Sequence, residues 1–235
     1  MCTVAYLPSA GEVLLASNRD EQTNRLPATQ PAVHTVGGKQ LLFPRDGQAG
    51  GSWIAVHENG GAAVLFNGAF EKHLPATTYR ASRGLVFLDL VGDGFFQDNY
   101  ERYNLEQIEP FSIVFVQEGR LWENRWDGYR KHSRQLDATT PHFWASATLY
   151  TPAQRLEKQQ QFHDWRLLHA APGAEDLLHF QLSQQLLDSR PLLQTVSATC
   201  IALQKNKAAM LYTDLRAGSR STTEMAFDYQ LATGL

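Results

Sequence analysis

Cys2 is the residue with the most chemistry to offer, because it follows Met1 directly and precedes the short apolar run Thr3-Val4-Ala5-Tyr6. Its side chain is small enough for the aminopeptidase that trims initiator methionine, and trimming would leave a thiol and a free α-amine on one residue. An ordinary α-amine titrates at about 8 and an ordinary thiol at about 8.5, so near neutral pH the amine can take the thiol proton and later return it to a leaving group. Such a unit attacks an amide or thioester carbonyl without a histidine. The alternative role is structural, a small apolar residue opening a buried strand.

A second cluster, Asn18-Arg19-Asp20-Glu21, stands at the end of the next apolar segment. Taken alone, four polar residues there are solvated turn chemistry. The turn cluster Pro8-Ser9-Ala10-Gly11 separates residues 3–7 from residues 13–18, however, and predicts an opening hairpin whose antiparallel pairing sets Ser17 to Asp20 opposite Cys2 and Thr3. Asp20 is thereby expected to hold the amine and tune it, and Arg19 to favour the thiolate or bind an anionic group. Gly50-Gly51-Ser52-Trp53 is either a loop that brings backbone N–H groups to a ligand or a tight turn into a strand with Trp53 in the core. Arg45 and Asp46 beside it either line the same cleft or solvate the loop. Cys200, inside the apolar run 196–203, reads as a structural thiol.

The elements that must position these residues are strands and helices in alternation. Residues 53–57 and 62–66 flank Glu58-Asn59-Gly60-Gly61, whose Asn-Gly step favours a tight hairpin turn. Residues 111–117 with 121–126, and 195–203 with 208–213, predict two further pairs. Helices are expected over residues 82–91 with Ser82 as N-cap, over 153–169 as a partly exposed amphipathic helix after Pro152, and over 173–188. Strand pairs with helices between them predict an α+β body in which sheets stack and helices cover the outside, as one domain spanning residues 1–235.

Composition narrows the partners. A formal net charge of −3 with scattered Lys and Arg leaves no nucleic-acid footprint. Two cysteines make neither a disulfide framework nor a zinc site, which fits a reducing, cytoplasmic setting. Apolar runs stay well short of the roughly 20 residues that span a bilayer, and the start lacks the pattern of a secretory signal. The eight histidines show no metal-ligand spacing.

Met1-Cys2-Thr3, Asn18-Arg19-Asp20-Glu21, Gly50-Gly51-Ser52-Trp53 and Asn67 together resemble the Asn-Arg-Asp-Glu motif family, the transport and Golgi organisation 2 homologues, and the likeness extends through Ser146-Ala147-Thr148-Leu149. The resemblance implies a four-layer αββα sandwich of the N-terminal nucleophile hydrolase type with mostly antiparallel sheets. A more distant similarity is to choloylglycine hydrolase and penicillin V acylase, whose Met-Cys start falls on Met1-Cys2, whose strand-end aspartate falls on Asp20 and whose oxyanion-hole asparagine falls on Asn67. Losing one such donor costs on the order of 3 kcal/mol of barrier. The implied catalytic set is Cys2, Asp20, Asn67 and Arg19, and the implied ligand contacts are Asn18, Gly50, Gly51, Ser52, Trp53 and Ser146. Two departures stand out. The acylases carry an arginine three residues before the aspartate, where this chain has Ser17, and Arg19 beside Asp20 is expected on the other face of the strand. Related families also show an asparagine near Ser146.

Two function classes follow. One is a cysteine hydrolase cleaving an amide or thioester bond of a small molecule with no cofactor required. The other, implied by the family's link to haem trafficking and to acyl-CoA and lipid handling, is a carrier holding haem or an acyl-chain cargo in the same cleft.

Overall fold

The computed structural model describes residues 3–9, 11–186 and 192–227. Among them, six strands form one sheet in the spatial order His142–Ala145 (β10), Thr3–Ser9 (β1), Glu12–Gln22 (β2), Leu193–Leu203 (β11), Lys207–Asp214 (β12) and Ser219–Ala226 (β13). A second sheet runs Ala32–Val36 (β3), Lys39–Phe43 (β4), Ile54–His57 (β5), Ala62–Asn67 (β6), Phe111–Gln117 (β7), Arg120–Trp126 (β8) and Lys131–Leu136 (β9). Every pairing in both sheets is antiparallel. Four helices complete the described chain, Arg83–Val91 (α1), Phe96–Arg102 (α2), Pro152–Leu168 (α3) and Ala174–Ser183 (α4).

Strand alternation sorts the layers. On β1 and β2, Ala5, Leu7, Leu14 and Ala16 pack outward beneath Phe162 of α3 and Leu177 and Leu178 of α4. Their neighbours Val4, Tyr6 and Leu15 turn the other way and join Val56, Val64 and Ile201 between the sheets. On the far side, Phe96 and Tyr100 of α2 meet Ala63 and Phe115 of the second sheet. The order is helix, sheet, sheet, helix. A polar tie joins the sheets as well: Trp144 of β10 donates through Nε1 to Glu123 Oε1 of β8 at 2.6 Å.

The anticipated hairpins form. At the β5–β6 turn Gly60 has φ +84°, and Asn59 Oδ1 accepts from Gly61 N at 3.0 Å, the side-chain turn that an Asn-Gly step favours. Ser82 caps α1 by accepting from Leu85 N, and Thr151 and Gln154 form a reciprocal capping box ahead of Pro152 at the start of α3.

Three expectations need correction. β2 does not end at Asn18 but runs through the Asn18 to Glu21 cluster to Gln22, because β11 continues the ladder with Thr195 opposite Asp20. In α3 only Phe162 is buried and Leu168 is exposed, so its apolar face is narrower than its sequence suggested. The helix expected over 173–188 is α4 and ends at Ser183; the part of its expected span from 187 to 188 lies outside the described residues. No helix among the described residues is long and apolar enough to cross a membrane.

Candidate active site

The end of β2, the loop leading into β5, the end of β6 and the start of α1 surround a cleft of about 560 Å³. Its floor is set by Arg19. That residue shares a face of β2 with Ser17 and Leu15, two and four positions away, and so points between the sheets. Position 17 and position 19 lie on one face, so Arg19 is not reversed relative to the acylase arginine position, as expected from sequence, but displaced one pleat along the same side.

Arg19 is 4% exposed. Its Nη2 lies 2.5 Å from Asp46 Oδ2, and its guanidinium sits 4.7 Å over the Trp53 ring. Asp46 also takes two bonds from Arg25, through Nε and Nη2, both at 3.0 Å. Its Oδ1 accepts in addition from the backbone N–H of Gln48 and Ala49. Burial pushes the Asp46 carboxyl up, but the bonds from Arg25 and Ala49 and the charge of Arg19 outweigh it and hold the group below the usual carboxylate range. Burial lowers the pKa of Arg19, opposed by the charges of Glu21 and Asp46. A desolvated guanidinium of this kind depends on its carboxylate.

Asp20 faces the opposite side of β2. Its Oδ1 accepts from Thr195 Oγ1 at 2.5 Å, beside the irregularity where β11 shifts register between Thr195 and Ser197. Asn18 shares that side and does not reach the cleft: its Nδ2 donates to Gln181 O of α4 at 2.8 Å, next to Thr3 Oγ1, which donates to Gln181 Oε1.

The Gly50 to Trp53 segment divides. Gly50 turns the loop at φ +73° and donates to Asp46 O. Gly51 lies against α1 so closely that a Cβ would fall 2.3 Å from the Gly84 carbonyl carbon. Ser52 gives its N–H to Gly84 O and its hydroxyl to Pro44 O. Of the loop's backbone groups, Gly50 N–H and Gly51 O pair with Asp46 and Ser52 N–H docks the start of α1, while Gly51, Ser52 and Trp53 line the cleft.

Asn67, at the end of β6, also lines the cleft. Its side-chain amide makes no hydrogen bond to any described residue, whereas its carbonyl accepts from Ser146 Oγ at 2.8 Å. Ser146 is fully buried, meets Thr148 Oγ1 at 2.8 Å, and steadies Asn67 instead of reaching a ligand itself. Cys2 lies outside the described residues. Its sequence neighbour Thr3 pairs with Ala145, the residue before Ser146, and Val4 pairs with Ser17 of β2.

The start of α1 supplies what sequence alone did not single out. Arg83 Nη2 is 3.1 Å from Glu109 Oε2, and Arg80 donates to the backbone carbonyls of Glu106 and Asn104. Burial lowers the pKa of Arg83 and the charge of Glu109 opposes the shift. The available signal was the pair Arg80 and Arg83 bracketing a capping serine, with Gly84 as the counterpart of Gly51. Among the described residues no group of three His, Cys, Asp or Glu gathers into a metal site.

The layer order, the antiparallel sheets and the cleft at the strand ends define an N-terminal nucleophile hydrolase fold. The chain belongs to the family described as Transport and Golgi organisation 2, whose model matches residues 1–225. Solved structures with this fold resemble it over nearly all its length. A cysteine-to-alanine mutant of the conjugated bile acid hydrolase from Clostridium perfringens is 11% identical, with a TM-score of 0.62 over 98% of this chain and 97% of that one. Penicillin V acylase from Agrobacterium tumefaciens is 11% identical, with a TM-score of 0.59 over 96% of this chain and 86% of that one. The Caenorhabditis elegans orthologue of N-acylethanolamine-hydrolyzing acid amidase is 13% identical, with a TM-score of 0.60 over 85% of this chain and 92% of that one. Among curated proteins no sequence matches the chain.

Proposed function

We propose that this protein is a cysteine hydrolase that cleaves an amide or thioester bond of a small molecule, with Cys2 as the nucleophile and its own α-amine as the base. The observation that supports this most is Asn67, whose unengaged side-chain amide lines the cleft while its backbone is fixed by Ser146. A rigidly mounted donor with no partner among the described residues is what a developing oxyanion requires. Cys2 precedes Thr3, which opens β1, and Val4 of β1 pairs with Ser17 of β2, the strand that carries Asp20.

In the reaction the amine accepts the thiol proton as sulfur adds to the carbonyl carbon. The carbonyl oxygen takes the negative charge and receives the Asn67 N–H. Collapse expels the amine or thiol, which leaves with the proton from the ammonium group, and Asp20 orients that ammonium. Water then adds to the thioester by the same route in reverse and releases the acid. Carriage of haem or of an acyl chain would use the same cleft, but a lining with four arginines and three carboxylates leaves little apolar wall for a porphyrin face or a long acyl chain.

The test is selective alkylation. Tag-free protein is expected to lack Met1 by intact mass, and iodoacetamide is expected to modify Cys2 on the order of 100-fold faster than Cys200, with a rate that rises with pH through the thiol titration. Cys200 serves as internal control, since it is fully buried and burial pushes its thiol well up. Equal, slow modification of both would refute the proposal.

A further inference from the structure

We propose that the cleft selects ligands carrying a single negative charge, in the form of a carboxylate, and that Arg80 and Arg83 at the start of α1 receive it together with the open edge of Arg19. This deepens the hydrolase reading by naming its substrate class. Four arginines line the cleft, Arg19, Arg25, Arg80 and Arg83, against the three carboxylates Glu21, Asp46 and Glu109. Each carboxylate has its cation: Asp46 and Glu21 are met by both Arg19 and Arg25, and Glu109 by Arg83. Arg80 is left over, bonded to backbone carbonyls and to no carboxylate among the described residues.

Arg19 adds a second, independent sign. Its hydrogen bonds all run through Nη2, and neither Nε nor Nη1 bonds to any described residue. Those nitrogens offer donors to a ligand oxygen in the cleft that Arg19 lines. The start of α1 contributes a further partial positive charge, equivalent to about half a unit.

The balance chooses among anions. One excess positive charge, carried by Arg80 on the exposed rim, plus a helix terminus matches a monoanion, whereas a phosphate dianion would exceed it by about one charge. The planar fork of a guanidinium also suits a carboxylate. A cleft of about 560 Å³ is of the size that holds a small organic acid and its acyl partner.

The experiment is calorimetric titration of the Cys2→Ala protein with three matched probes: N-benzoylglycine, its neutral glycinamide and its aminomethylphosphonate analogue. The acid is expected to bind at least about tenfold tighter than the amide and tighter than the phosphonate. Arg80→Gln should remove most of the acid's advantage and Arg80→Lys should retain part of it, with circular dichroism confirming the fold. Glu109→Gln adds one to the excess charge and should move the preference toward the phosphonate. Acid and amide indistinguishable, whether both bind or neither does, would overturn the proposal, as would an advantage untouched by Arg80→Gln and Glu109→Gln. Nothing turns over in this protein, so the outcome stands apart from whether Cys2 is a nucleophile.

Discussion

Asp46 holds two arginines and two backbone N–H groups at once, and no local pattern announces it. Cys2, Asp20 and Asn67 stand out by type and position, because a cysteine at position 2, a strand-borne acid and an asparagine after a tight hairpin are each unusual where they occur. Asp46 acquires its role only when β2 brings Arg19 across to the loop, a meeting of residues 27 apart in sequence. Removing it would leave Arg19 charged and buried with only the longer 3.4 Å contact to Glu21. Asp46→Ala is therefore expected to destabilise the protein by about 3–5 kcal/mol, read from the urea midpoint. Arg25→Ala, which removes the more exposed partner, is expected to cost well under half of that. A comparable loss from both variants would show that the buried Arg19–Asp46 contact is not the dominant one.

The elements were legible where a turn signal met an apolar run. The hairpins β5–β6, β7–β8 and β11–β12 and the start of α1 all carry such signals. β3, β9 and β13 do not, because they lie at or next to sheet edges with largely exposed, polar side chains. The close approach of Gly51 to Gly84 is a meeting of two backbones and leaves only glycine as its trace. Gly51→Ala is expected to push α1 away from the cleft at a cost of about 1–3 kcal/mol or more, and a weakened ligand affinity with an intact α3–α4 side would be the signature. An unchanged thermal midpoint would contradict the packing. The β5–β6 hairpin also sets a pH dependence. His57 is buried, which lowers its pKa, and its Nδ1 accepts from Asn59 N at 3.1 Å, so that nitrogen must stay unprotonated. The unfolded chain, with an ordinary value of about 6.5, takes up the proton first. Stability is then fully present above that pH and falls as pH drops below it. Urea midpoints at pH 7.5 and 5.0 should differ more in the wild-type protein than in His57→Gln; an equal difference would remove His57 from the acid response.

At the scale of the molecule, the sandwich explains why the candidate site collects where it does. β2 lies inside one sheet and β6 inside the other, and their ends meet at the same opening, so Arg19 of β2 and the amide ending β6 line one cleft without any loop having to reach. The order of strands and helices in the sequence carried this architecture, while the contents of the cleft depended on side chains that meet only after the sheets stack. Glu123 of β8, which Trp144 of β10 reaches across the sheets, shows the same principle. Burial raises its pKa, yet the hydrogen bond from Arg125, with Arg134 and Trp144 adding to it, keeps the carboxyl below its usual range. Its contribution is present above the unfolded carboxylate's value of about 4.3 and disappears as pH falls through the lower folded value.

The central claim is most directly tested by rapid-quench mass spectrometry of the tag-free protein with a p-nitrophenyl ester, compared with a protein carrying one extra glycine ahead of Cys2. The account predicts one acyl group on the Cys2 peptide within the first turnover, and loss of that adduct in the extended protein while its fold persists. An adduct that never resides on Cys2, or one that forms equally fast when the amine is displaced, would contradict it.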